Sequence, residues 1–186
     1  MTRIMGVDPG LTRCGVGVID AGKSRSVSLV AVQTLISSPT SDLSTRIGEL
    51  ATNLERLITE YRPERLAIER VFSQQNLRSV MGTAQISGVV LYLAHKHNLP
   101  VVLHTPTEVK AAVTGSGRAA KAQVGAMVAK ILNLAEVPKP ADSADSLAIA
   151  ICSAWKLPTA AGPTTNTKAQ AQWNSAVVAP KKKGWV

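Results

Sequence analysis

The chain has 186 residues, with 21 Lys and Arg against 12 Asp and Glu and a net charge of +9 at pH 7. That length suffices to bury the core of one full domain, and that charge favours an anionic partner: nucleic acid, an anionic membrane surface or another acidic molecule. No apolar run reaches the roughly 20 residues of a membrane span, no basic segment followed by an apolar stretch marks an export signal, and Cys14 and Cys152 form no CxxC pair, so a soluble cytoplasmic protein with two small buried thiols is expected.

Ile4 to Val7, Cys14 to Ile19 and Val27 to Ile36 are short β-rich runs, separated by turn sequences at 8–13 and 20–25. They predict a three-stranded meander. From Asp42 the period changes, and Ile47, Leu50, Ala51, Leu54, Leu57 and Ile58 form one helical stripe, capped by Ser41 or Asp42 and ended by Tyr61-Arg62-Pro63. Leu66 to Ile68 reads as a buried strand leading into Glu69, and helical spacing returns from Asn76 to about Asn98. Pro100 to His104 is another strand. Helices follow from Pro106 to Val113 and from Ala119 to Leu134, split by a flexible Gly-Ser-Gly-Arg-Ala-Ala element, and a last helix runs from Pro140 to about Trp155.

This order predicts an α/β fold: a mixed five-stranded sheet flanked by helices on both faces. After Leu157 the composition shifts to Pro, Ala, Thr, Asn and Gln with no acid, which reads as a basic, disordered tail over 158–186 following a domain over 1–157. Removing the tail's four lysines leaves 17 of the 21 bases against all 12 acids, so the domain itself is basic.

Four carboxylates stand at the edges of apolar segments: Asp8, Glu69, Asp142 and Asp145. Taken alone, Asp8 fits a turn cap before Pro9 and Gly10 better than a catalytic role, and Glu69 could equally pair with Arg65 or Arg70. Asp142 and Asp145 lie three apart in the first turn of a helix, where the macrodipole accounts for one of them. Two acids on one face repel unless a positive charge sits between them, so the pair points to a cation. Together the four supply only hard oxygen ligands, which suit Mg²⁺ or Mn²⁺ rather than zinc, and phosphoryl chemistry commonly uses two such ions. His95, His97 and His104 read as surface or packing residues. Between Val109 and Ala135 lie Lys110, Arg118, Lys121 and Lys130 and no acid, a candidate phosphate-binding surface.

The segments GVDPGLTRCG, AIERVF followed by Gln75-Asn76, TPTEVKAAVTGSGRAAKAQV and PADSADSLAIAI, in this order, resemble the RuvC family of bacterial Holliday-junction resolvases. The resemblance covers most of residues 3 to 156. It implies a ribonuclease H-like fold and a homodimer that makes two symmetric nicks in four-way DNA, with Asp8, Glu69, Asp142 and Asp145 as Mg²⁺-binding catalytic acids, two ions per site. It further implies that Lys110 and Lys121 stand beside the scissile phosphate and that Phe72, which could otherwise be a core residue, stacks on a base of the opened junction. Asn76 and Arg118 join these as expected DNA contacts. Implied too are in-line attack by water leaving a 5′-phosphate, branch-migration partners of the RuvA and RuvB type, and a nucleoid-associated location in a bacterial cytoplasm.

The helix from Asn76 to Asn98 is the expected dimer element, because Val80, Met81, Ala84, Ile86, Val89, Val90, Leu91 and Leu93 wrap around much of its circumference. Ser143 and Ser146 stand where many relatives have alanine; their hydroxyls are expected to cap the helix or reach the site. Two other classes compete with a nuclease. An ATP-binding protein of the actin-like superfamily needs a second lobe and a second phosphate loop. A noncatalytic junction-binding protein needs the basic surface without the acids.

Overall fold

The computed structural model describes residues 1–70 and 77–156. The expectations for Phe72, Asn76 and the tail lie outside the described residues.

The first three strands, β1 (Thr2–Asp8), β2 (Arg13–Ala21) and β3 (Val27–Ile36), form the antiparallel meander that the turns require. Helix α1 (Leu43–Tyr61) then crosses over to β4 (Arg65–Glu69), and α2 (Leu77–Lys96) to β5 (Val101–His104). Because each crossover is a helix, β4 pairs parallel to β1 and β5 parallel to β4, giving the order β3-β2-β1-β4-β5. Three helices close the fold: α3 (Pro106–Thr114), α4 (Lys121–Ile131) and α5 (Ala141–Trp155). The expected five-stranded mixed sheet with helices on both faces is therefore present.

Alternation along the strands sorts the core into two layers. Ile4, Ile19 and Ala67 face α3, α4 and α5, whereas Met5, Val7, Val16, Leu66 and Ile68 face α1 and α2. Cys14 and Cys152 are free and buried, one in each layer. Among the described residues no helix is long and apolar enough to cross a membrane.

Local chemistry fixes most of the boundaries. Asp42, not Ser41, caps α1, its carboxylate accepting the backbone N–H of Thr45 at 3.0 Å. Thr105 and Glu108 form a reciprocal capping box that starts α3. The fourth helix is shorter than its periodicity suggests, running Lys121–Ile131 rather than Ala119 to Leu134, because Asn133 turns the chain with φ 52°. Between α3 and α4, Gly115 takes a left-handed conformation with φ 81° and ends α3, and the Ser116 N–H donates to Thr114 Oγ1.

Helix α5 is the centre of the molecule, with Leu147 to Cys152 all buried. It reaches the sheet closely because Gly6, Gly15 and Gly17 face it. A Cβ at Gly6 would collide with the Ser146 carbonyl, one at Gly15 with the Asp142 carbonyl, and one at Gly17 with Leu147. Its far end is tied to the β2–β3 turn, where the Trp155 indole N–H donates to the Arg25 carbonyl at 2.9 Å and the Arg25 guanidinium lies 5.2 Å from the ring centroid.

Helix α2 divides in two. Ile86, Val90, Leu93 and Ala94 are buried against the sheet and α1, while Met81, Ala84, Gly88, Leu91 and Tyr92 are exposed on its outer face.

Candidate active site

Asp8 and Glu69 end two adjacent parallel strands, Val7 pairing with Ile68 just before them. Alternation places Asp8 on the side of Ile4 and Gly6, and Glu69 on the side of Ala67, so both acids look toward α5. The close approach allowed by the three glycines brings the first turns of α5 over these strand tips. Asp8, Glu69 and Asp145 consequently line one cavity of about 270 Å³. Lys110 from α3 and Lys121 from α4 line the same cavity. Arg118 lies on the α3–α4 turn with its side chain exposed, and does not line this cavity.

The acids feel one another. Asp8 is pushed up to about 7, first by burial and then by the charges of Asp145, Glu69 and Asp142, with Lys121 opposing. Glu69 is raised in the same sense, by burial and by Asp145, while Lys121 and Lys110 hold it back. Those two lysines, rather than Arg65 or Arg70, are the cations that act on it.

Two bases answer the excess negative charge. Lys121 Nζ donates to Asp145 Oδ2 at 2.7 Å, and burial opposes the upward shift that this bond gives the lysine. Arg13 Nε stands 3.3 Å from Asp142 Oδ2, outside the shared cavity. The four acids are thus neighbours without being a closed chelate: among the described residues no three His, Cys, Asp or Glu side chains are poised around a common point. The donor set nevertheless fits a hard divalent cation, since it consists of carboxylate oxygens in a partly dry cleft with surplus negative charge.

Ser143 and Ser146 do not reach the site. Both are buried, Ser143 Oγ lying 2.9 Å from Thr34 Oγ1 and Ser146 Oγ donating to the Ser143 carbonyl at 2.9 Å. They point at the sheet because the α5 face that meets Gly6 and Gly15 has room only for small side chains. The histidines are structural as expected. His97 Nε2 meets Glu55 at 2.8 Å, tying the end of α2 to α1, and His104 is buried beside Glu69 in the sheet, where desolvation lowers its pKa.

Sequence reading missed two contributors: Arg13, and the Gly6, Gly15 and Gly17 cluster. The glycines had a visible signal, since Gly15 and Gly17 occupy alternate positions of one strand and therefore one face. Arg13 had none, as it lies 129 positions from the acid that it meets.

The charge on Asp8 has a measurable consequence for the metal-free protein. Its folded pKa, about 7, lies above its ordinary value of 3.8, so the folded state binds the proton more tightly. Stability therefore falls as pH rises from about 4 to about 7 and stays reduced above that. Asp8→Asn carries no such charge. In chelator at pH 8 it unfolds at a higher urea concentration than the wild type, a gain on the order of a few kcal/mol in unfolding free energy, and the difference closes near pH 4. Equal midpoints at pH 8 would contradict this electrostatic picture.

A family model described as crossover junction endodeoxyribonuclease RuvC matches residues 4–153. A crossover junction endodeoxyribonuclease RuvC of Saccharopolyspora erythraea is 55% identical over 158 residues, covering 85% of this chain and 79% of that protein. The protein of the same name from Rhodococcus jostii is 56% identical over 156 residues, covering 84% and 82%. Among solved structures, T. thermophilus RuvC in complex with Holliday junction substrate is similar with a TM-score of 0.78 and 32% identity, covering 83% of this chain and 93% of that one.

Proposed function

The chain belongs to the RuvC family of crossover junction endodeoxyribonucleases, and on that premise we propose that it resolves Holliday junctions in DNA recombination and repair by hydrolysis at Asp8, Glu69, Asp142 and Asp145. One observation carries this assignment of the site: Asp8, Glu69 and Asp145 share one cavity with Lys110 and Lys121.

The carboxylate oxygens of Asp8 and Glu69 at the strand tips and of Asp142 and Asp145 on α5 would hold divalent cation, Mg²⁺ with Mn²⁺ as substitute and two ions per site, which would supply Lewis acidity at the scissile phosphate. The side chains of this protein do the rest. Lys110 and Lys121 reach the phosphate within the same cavity and stabilise the charge that develops on its oxygens. Lys121 must release Asp145 to do so, and its exposed position on the first residue of α4 permits that movement. Asp142 lies beside the cavity and adds its charge to the same field. Breaking the bond on the 3′-oxygen side leaves a 5′-phosphate that a ligase can seal.

Paired cuts call for two copies related by a two-fold axis. The exposed face of α2, with Met81 58% and Tyr92 62% exposed, supports α2 as the dimer contact. Leu91→Asp is expected to shift the protein from dimer to monomer in sedimentation velocity, and to uncouple or abolish the paired nicks. A dimer that persists at micromolar concentration would place the contact elsewhere. Phe72, Asn76 and Arg118 are assigned to junction contact, residues 158–186 to a basic tail outside the nuclease domain, and RuvA and RuvB type proteins to the partnership. A nucleoid-associated place in the cytoplasm follows from the substrate.

Cleavage of a synthetic four-way junction, against a linear duplex of the same sequence, tests the function. Mg²⁺-dependent nicks on opposing strands are expected, absent in chelator. Tight junction binding with no nicks under Mg²⁺ or Mn²⁺ would leave a noncatalytic binding protein.

A further inference from the structure

Two bases rest on the two acids of α5, and only one of them belongs to the cavity wall. Arg13 opens β2 just beyond the tip of β1, since Asp8 pairs with Gly15 two residues later. Alternation with Gly15 and Gly17 turns its side chain to the α5 side of the sheet, where its Nε meets Asp142. Lys110 and Lys121 line the cavity with three of the acids, whereas Arg13 and Asp142 lie outside it. The Arg13 flank is open. Arg13 is 60% exposed, and its cross-strand partner Ile36, on the edge strand β3, is 71% exposed.

The turn that carries Arg13 is held in place. The Arg46 guanidinium donates to Thr12 Oγ1 and to Ser37 Oγ, both at 2.9 Å, and the Ser37 N–H donates to the Thr12 carbonyl at 3.2 Å. A fixed backbone with a long, exposed side chain gives the guanidinium a short reach around a defined point. Its only ion pair among the described residues is the 3.3 Å approach to Asp142, longer than a charge-assisted hydrogen bond of about 2.8 Å.

We propose that Arg13 is a second-flank phosphate clamp: it rests on Asp142 in the free protein and moves to a backbone phosphate beside the scissile one when DNA and cation enter. This rests on the assignment of Asp142 to the cation site. The physics is a trade of counter-ions. Once cation neutralises the carboxylates, Asp142 no longer holds the guanidinium, and a phosphodiester lying across the strand tips offers a bidentate acceptor on the uncovered side. A strand gripped both inside and outside the cavity presents its phosphate in line over Asp8 and Glu69, which Lys110 and Lys121 alone do not enforce.

The experiment uses the full chain, four-way junction DNA and Mg²⁺, with R13A and R13K. For R13A, KM for the junction rises about tenfold with a smaller loss in kcat, the scale of one charge-assisted bond. The slope of log affinity against log KCl becomes shallower by about one unit, as for one lost phosphate contact, and R13K regains most of that slope. An unchanged slope and KM, with only kcat or the Mg²⁺ midpoint altered, overturns the proposal and leaves Arg13 as a positioning residue for Asp142. D142N separates the two readings. Retained cutting by D142N would remove Asp142 from the cation site, whereas the salt slope of R13A reports the phosphate contact independently.

Discussion

Glu69→Gln is expected to lower the rate of junction cutting by about three orders of magnitude, the scale on which a single preorganised electrostatic group acts, while leaving junction affinity largely in place. Glutamine keeps the shape of the side chain at the end of β4, so the strand and its pairing with β1 and β5 survive. What it removes is the charge. Glu69 sits where burial and Asp145 already oppose ionisation, and a group kept charged there against those penalties has an opposite charge to serve. Lys110, Lys121 and Arg13 are untouched, so the surface that attracts DNA remains. Single-turnover cutting of a mobile junction, with binding measured in parallel in chelator, checks both halves. Loss of binding together with cutting would mean that Glu69 holds the fold rather than the reaction.

Gly15→Ala is the second large effect, and it acts on stability and chemistry together. The added methyl would occupy the space of the Asp142 carbonyl, with the Asp142 carbonyl carbon and Ser146 Cβ close behind. Backbone cannot be displaced as a flexible side chain can, so the first turn of α5 must lift from β2. Overpacking of this kind costs about 1–3 kcal/mol, read as a fall in the urea midpoint at constant slope. The lift also withdraws Asp142 and Asp145 from Asp8, so cutting falls beyond what the unfolded fraction explains. A control at Gly48, on the exposed side of α1, where a Cβ meets nothing within 4 Å, is expected to leave the urea midpoint at or slightly above the wild-type value, since alanine is the better helix former. A Gly15→Ala protein of unchanged midpoint and activity would show that α5 has slack over the sheet.

The elements that were legible in the sequence are those whose signal is periodic or local. The stripe from Ile47 to Ile58 makes one face of α1, and Leu50, Leu54, Leu57 and Ile58 are buried there. The meander was legible because its two turn sequences are short and each flanking run is β-rich. The strand before Glu69 was legible from three apolar residues between polar ones, because an acid directly after a buried run marks a strand tip. Where local signals conflicted, reading faltered. Apolar spacing continues past Ile131, yet Asn133 takes a left-handed conformation and ends α4 early. The first of the two glycines after α3 does what its residue type suggests, Gly115 taking a left-handed conformation that ends the helix.

Residue types and spacings thus pointed to the five strands, the helices and the basic stretch around Lys110 and Lys121, and the family resemblance singled out the four acids and those two lysines for junction cutting. Only the tertiary structure decided which acids share a cavity, that Lys121 rests on Asp145 and Arg13 on Asp142, and that Ser143 and Ser146 look inward. The reason is range. Propensity, capping and periodicity act over a few residues and leave their mark in the chain, whereas the site depends on strand pairing that sets Val7 beside Ile68 and on how far three glycines let α5 descend, the latter contacts between residues more than a hundred positions apart.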